Sequence, residues 1–162
     1  MFTLDGMRQF HRWTHQSLSL LLDHLETLPA SGYVQEFPGF GYSSLRAQVV
    51  HLLGCEIRWL SRIRSIPQRD WDPVHWPAVS DARALQSEAR ALTLDYLSGL
   101  TEQQLNTAIE LRLPPDGVVG YRTPALILHH VFTHAFHHKG QIVAMCRLLG
   151  HPAGITDLFQ FE

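Results

Sequence analysis

Cysteine, charge and long apolar runs are all scarce in this sequence, and each shortage excludes something. Only two of its 162 residues are cysteines, Cys55 and Cys146, and they form no C-x-x-C pair. A disulfide framework or a cysteine-built zinc site is therefore not on offer. Both fall in helical patterns, and two free, buried thiols in a reducing cytoplasm are expected. Thirteen Lys and Arg stand against fifteen Asp and Glu, a net charge of -2 with no basic run, so no nucleic-acid partner is expected. No apolar stretch approaches the roughly 20 residues that cross a bilayer, which excludes a membrane-spanning helix. The opening Met1-Phe-Thr-Leu-Asp-Gly6 lacks the basic-then-apolar order of a secretory signal.

Several catalytic signatures are missing too. There is no H-E-x-x-H, and no Glu precedes a His by three residues, so zincin proteases and carboxylate-bridged di-iron bundles are excluded. G-x-S-x-G, a P-loop and G-x-G-x-x-G are likewise absent.

What is plentiful is histidine. The chain has eleven, five of them between His129 and His138. That run lies in one of four segments with helical periodicity, at about residues 3–28, 43–65, 80–98 and 123–149. The first places Leu4, Met7, Leu18, Leu21, Leu22 and Leu25 on one face; the second has Ser43 or Ser44 as its cap, the fourth Thr123-Pro124 as its start and Gly150 as its stop. Residues 29–42 read as a loop, and 67–77, with Trp71 and Trp76, as a loop over a groove or a lid. Thr101-Glu-Gln-Gln104 forms a capping box before a single turn. Residues 107–113 read as a short strand or hairpin arm closed by Pro114-Pro-Asp-Gly117. The length fits one domain, residues 1–162. Four helices around one core make an all-α helix bundle, and the long connections permit crossovers.

A helical wheel orients the histidines. At about 100° per residue with His134 at 0°, Ile127, Val131, Ala135, Ile142, Met145 and Leu149 span about 20° to 100°. His138 falls at about 40° inside that apolar arc, with His134 on its edge, while His130, His137 and Gln141 lie at about -40°, -60° and -20°. The inward pair is thus His134 and His138. Two buried imidazoles each need a partner, and one metal ion satisfies both. A third ligand must come from another helix. His51 is best placed; its neighbour Cys55 fits as a small core residue. The pair His11 and His15 in the first helix is a rival that spacing does not exclude, though a polar margin beside the apolar face accounts for it as well.

These residues carry a resemblance. His51 early in the second helix, the run His134-Ala-Phe-His-His138-Lys-Gly-Gln141 and the tail Leu149-Gly150-His-Pro-Ala-Gly-Ile-Thr-Asp157 resemble the DinB/YfiT-like family of metal-dependent proteins, over nearly the whole chain. The resemblance implies a four-helix bundle connected up-down-down-up, often a homodimer. It also implies a divalent metal held by three histidines, here His51, His134 and His138, and a small-molecule substrate, in some members a low-molecular-weight thiol. Trp13, opposite the apolar arc of the first helix, agrees with a covered surface there.

Three neutral histidines leave the ion fully charged with at least one open position, the pattern of a catalytic site. Such an ion lowers the pKa of bound water to about 7 in favourable cases, or deprotonates a bound thiol. Hydrolase and thiol transferase are both within reach. No carboxylate stands one turn from a ligand as a base, which favours thiol transfer, and His137 and Gln141 are placed to orient water or substrate or to support the ligands. A metal-binding or stress-response protein without catalysis is the alternative. Zn, Ni, Fe and Mn all suit the donor set.

Overall fold

The computed structural model describes residues 1–113 and 117–161. Four long helices dominate it: α1 (Leu4–Glu26), α3 (Leu45–Ile63), α4 (Val79–Ser98) and α6 (Pro124–Leu148). Their starts are chemically defined. Thr3, Ser44 and Thr123 each accept a hydrogen bond from the backbone N–H three residues on, at 3.1 Å, and Pro124 occupies the first turn of α6. Asp81 accepts from the Ala78 N–H at 2.9 Å at the start of α4. Gly150 follows α6 with φ of 80°, the left-handed stop that glycine accommodates. Thr101 and Gln104 exchange hydrogen bonds at 3.2 and 2.8 Å as a capping box, opening the one-turn helix α5 (Glu102–Asn106).

The stretch 29–42, read as a loop, contains a further turn of helix, α2 (Ala30–Val34), anchored by the buried Tyr33. Five residues are too few for a periodic signal. The extended segment before α6 is a hairpin of β1 (Ile109–Leu113) and β2 (Val118–Arg122), paired antiparallel with Leu111 opposite Gly120. Of the turn expected at 114–117, residues 114–116 lie outside the described residues.

Side-chain contacts set the helix directions. Gln48 meets Gln141 and His51 meets His134, so α3 and α6 run antiparallel. Arg83 reaches Glu26 and Arg8 reaches the Leu97 carbonyl, making α1 and α4 antiparallel. Phe10 packs on Phe132 and Ser17 receives Lys139, so α1 and α6 are parallel. Glu56 meets Thr93 and Arg64 meets Asp95, so α3 and α4 are parallel too. The order is up-down-down-up, with α1 and α3 on a diagonal. The parallel pair α3 and α4 requires a long return, and residues 64–78 supply it.

The core forms two clusters, one around Leu21, Leu25, Leu45 and Leu53 and one around Leu97, Leu105, Leu128 and Phe132, with Leu92 packed against both. Cys55 and Cys146 are buried free thiols, Cys146 within the first cluster. The return segment is packed, as its tryptophans suggested. Trp71 stacks on Trp76 at 5.7 Å and lies so close to α3 that a Cβ on Gly54 would sit 2.6 Å from its ring. Only glycine permits that approach. No described helix is long and apolar enough to cross a membrane.

Candidate metal centre

Helices α3 and α6 run antiparallel with His51 facing the His134–His138 turn. His134 Nε2 lies 3.3 Å from His51 Nε2 and 3.1 Å from His138 Nε2. His138 is buried, and the other two are half-buried. Burial pushes all three imidazoles down, His51 to about 3 with help from its neighbours His138 and Arg58. His134 and His138 each fall to about 4. All are therefore neutral at pH 7, the form that ligates a metal.

Neutral rings at these distances cannot satisfy one another. If His134 Nε2 carries a proton it serves one neighbour and confronts the other; if it carries a lone pair the same holds in reverse. One of the two contacts stays unmatched in every assignment of protons. A cation placed among three lone pairs resolves the conflict. The donor set thus fits a divalent ion of the borderline kind, from zinc to nickel.

The tautomer of His138 can be traced to a backbone carbonyl. Gln48 Nε2 donates to the Tyr42 carbonyl at 2.7 Å and to Gln141 Oε1 at 2.6 Å. The carbonyl is an obligate acceptor, so the Gln48 amide has only one orientation. Its Oε1 then accepts from His138 Nδ1–H at 2.6 Å, which leaves Nε2 as a lone pair facing the site. This is the outer support that ligating histidines typically have. Gln141 passes the chain on to His137 at 2.7 Å. His137 and Gln141 thus connect to His138 through Gln48, a buried residue that spacing alone did not single out.

Two more side chains at the site were not anticipated. The Tyr42 ring stacks on His51, centroids 3.8 Å apart. Arg58, two turns after His51, brings Nη2 to 3.4 Å from His51 Nδ1 and from the His51 carbonyl. A guanidinium only donates, so this long contact favours a lone pair on Nδ1 and hence a proton on Nε2. Ligation at Nε2 requires the opposite tautomer, with Nδ1 as donor, and the Arg58 contact would then give way.

The rival pair occupies another place altogether. His11 and His15 are 0% and 2% exposed, not on a polar margin, because α3 delivers Glu56 to them across the bundle diagonal. His11 Nε2 meets Glu56 Oε1 at 3.0 Å, and His15 Nε2 meets Oε2 at 3.1 Å. Thr93 Oγ1 donates to Oε1 at 2.5 Å. Burial alone would raise the Glu56 carboxyl, but the His15 charge and the hydrogen bonds from His11 and His15 outweigh it and hold Glu56 below the usual carboxylate range. Burial pushes His11 down. Here each Nε2 has an oxygen to face.

His130 lies beside the three-histidine site, its ring 5.6 Å from that of His134. A groove of about 290 Å³, lined by Trp59, Arg122, Leu126, Ile127 and His130, opens there. A larger groove of about 640 Å³, lined in part by Arg62, Gln68 and Arg112, contains none of the three histidines.

Comparison with known proteins agrees with this architecture. The model of the DinB family matches residues 1–162. Protein DinB of Bacillus subtilis (strain 168) is 22% identical, over 92% of this chain and 87% of that one. Among solved structures, YfiT from Bacillus subtilis superposes with a TM-score of 0.61 at 21% identity, over 93% of this chain and 91% of its own. It is described as a probable metal-dependent hydrolase with an unusual four-helix bundle topology. A DinB-like protein from Bacillus cereus gives 0.64 at 20% identity, covering 94% and 97%. A conserved protein from Enterococcus faecalis gives 0.68 at 18%, covering 93% and 99%. At these identities the structural likeness speaks for the fold.

Proposed function

The chain belongs to the DinB family, and from that premise we propose that it is a metal-dependent enzyme whose His51, His134 and His138 hold one divalent ion. The observation that carries this reading is the convergence of three neutral Nε2 atoms, one of them locked as a lone pair by Gln48. When bound, the ion would activate a thiol or a water molecule for attack on a small-molecule substrate.

The protein's own residues do the rest. Gln48 orients His138, Gln141 and the Tyr42 carbonyl orient Gln48, and Tyr42 covers one face of His51. The apolar wall of Trp59, Leu126 and Ile127 can shelter a small substrate beside His134, with His130 and Arg122 as polar groups in the same groove. No Asp or Glu contacts the three histidines among the described residues, so no carboxylate base is at hand. That supports thiol transfer, where the reactive thiolate needs no separate base. The description of YfiT supports hydrolysis, and the donor set serves both.

Elemental analysis of the purified protein should find about one divalent metal per chain, the stoichiometry of a single three-histidine site. Metal-free protein that takes up no zinc, nickel, iron or manganese would overturn the reading. A panel of low-molecular-weight thiols with electrophilic acceptors, run beside esters and amides, separates transferase from hydrolase. Inactivity on every substrate with metal firmly bound would instead favour a non-catalytic metal-binding protein.

A further inference from the structure

Among the described residues four arginines meet carboxylates: Arg8 with Asp5, Arg64 with Asp95, Arg69 with Glu88, and Arg83 with Asp23 and Glu26. Arg58 does not. Among the described residues it has no acidic partner, although it is half-buried and its head group lies beside the three-histidine site. Its contacts there are the two long ones to His51. Arg62, one turn further along the same helix face, also lacks an acidic partner among the described residues and lies over Trp59 at 5.2 Å. Like charges at this spacing repel.

Arg58 has an aromatic neighbour as well. Trp71 packs 5.3 Å from the guanidinium, and Arg69 sits over the same ring at 4.4 Å. Arg58 thus contacts Trp71 as well as His51, and its charge is felt at both His51 and His134. A divalent ion among neutral ligands would add to this positive field, with no acidic side chain touching the site. A guanidinium presents its donors in a planar fork that matches a carboxylate. An anionic substrate group would supply the missing counter-charge and the missing acceptors together.

We propose that Arg58 anchors an oxyanion, a carboxylate in the simplest case, on the substrate whose reactive atom meets the ion at His51, His134 and His138. This rests on the metal reading above and adds the substrate's charge to it. Arg58 is a specificity residue on this view. It selects acidic small molecules over neutral ones of the same size.

The test compares 3-mercaptopropionate with 2-mercaptoethanol, two short thiols of which only the first carries a carboxylate. Cobalt(II)-loaded wild type, Arg58→Gln, Arg58→Lys and Arg69→Gln are titrated with each, and thiolate-to-cobalt charge-transfer absorption reports binding. Wild type should prefer the carboxylate thiol by on the order of tenfold, the scale of one charge-assisted hydrogen bond. Arg58→Gln should bring the ratio close to one without weakening 2-mercaptoethanol, Arg58→Lys should keep part of it, and Arg69→Gln should leave it intact. An unchanged preference in cobalt-loaded Arg58→Gln would overturn the proposal. So would cobalt retained by wild type but lost from Arg58→Gln, which would make Arg58 a support for His51. Cobalt uptake by none of the proteins, wild type included, is a different failure: it would remove the metal reading itself and this proposal with it.

Discussion

His11 and His15 are four residues apart on α1, just as His134 and His138 are on α6, yet the two pairs live under opposite conditions. The α1 pair is wholly buried, and both Nε2 atoms face the Glu56 carboxylate. The α6 pair lies nearer the surface, and its Nε2 atoms face one another and His51. Both clusters contain three potential ligands close enough to share an ion. What separates them is the chemistry of the third member. A carboxylate accepts hydrogen bonds from two imidazoles and leaves nothing unmatched at Nε2. A third neutral imidazole leaves a conflict that a cation resolves. Spacing on one helix therefore makes a pair of histidines available; the partner from the facing helix decides their use.

The largest expected effect breaks this comparison outright. His134→Ala or His138→Ala should abolish metal retention through dialysis, measured by elemental analysis, while His11→Ala keeps the metal. Metal lost from His11→Ala and kept in His134→Ala would exchange the roles of the two clusters. Next comes the carboxylate. Glu56→Gln removes the charge that His11, His15 and Thr93 share, and should lower stability by about 3 kcal/mol, the scale of breaking a buried charged pair. Urea denaturation checks it, and metal content should stay as in wild type.

A smaller change sharpens the account of the metal centre. Gln48→Leu deletes the acceptor of His138 Nδ1–H and should weaken metal binding by about 10- to 100-fold, the usual cost of losing such support, with helix content unchanged by circular dichroism. The most gradual effect is acid sensitivity. His51, His134 and His138 are held at about 3, 4 and 4 against an ordinary 6.5. Below 6.5 the unfolded chain takes up protons that the folded site refuses, so stability falls as pH drops from 6.5 toward 4. Denaturation midpoints of metal-free protein should show that slope, and His134→Ala should flatten it. A midpoint independent of pH across this window would contradict the burial of the three rings.

Much of the helix α6 half of the site was legible because a helix imposes a fixed angle between residues. The wheel placed His138 inside the apolar arc and His134 on its edge, and the structure finds one buried and the other half-buried. The caps at Ser44, Thr101 and Thr123 were legible for a similarly local reason. His51 was a weaker inference until the family resemblance supported it, since no local rule says which residue of α3 faces which turn of α6. The environment of His11 and His15 was misread as a polar margin because Glu56, 45 and 41 positions away, arrives only through the diagonal placement of α1 and α3. Gln48, Tyr42 and Arg58 went unnoticed for the same reason.

The sequence by itself determined the four helices and the inward turn of His134 and His138, because these follow from periodicity. Only the tertiary structure decided which imidazole meets which partner. It set Glu56 against one pair and His51 against the other, locked His138 through Gln48, and brought Arg58 beside His51. Those outcomes depend on the register between antiparallel and diagonal helices, a relation that forms only when the bundle closes.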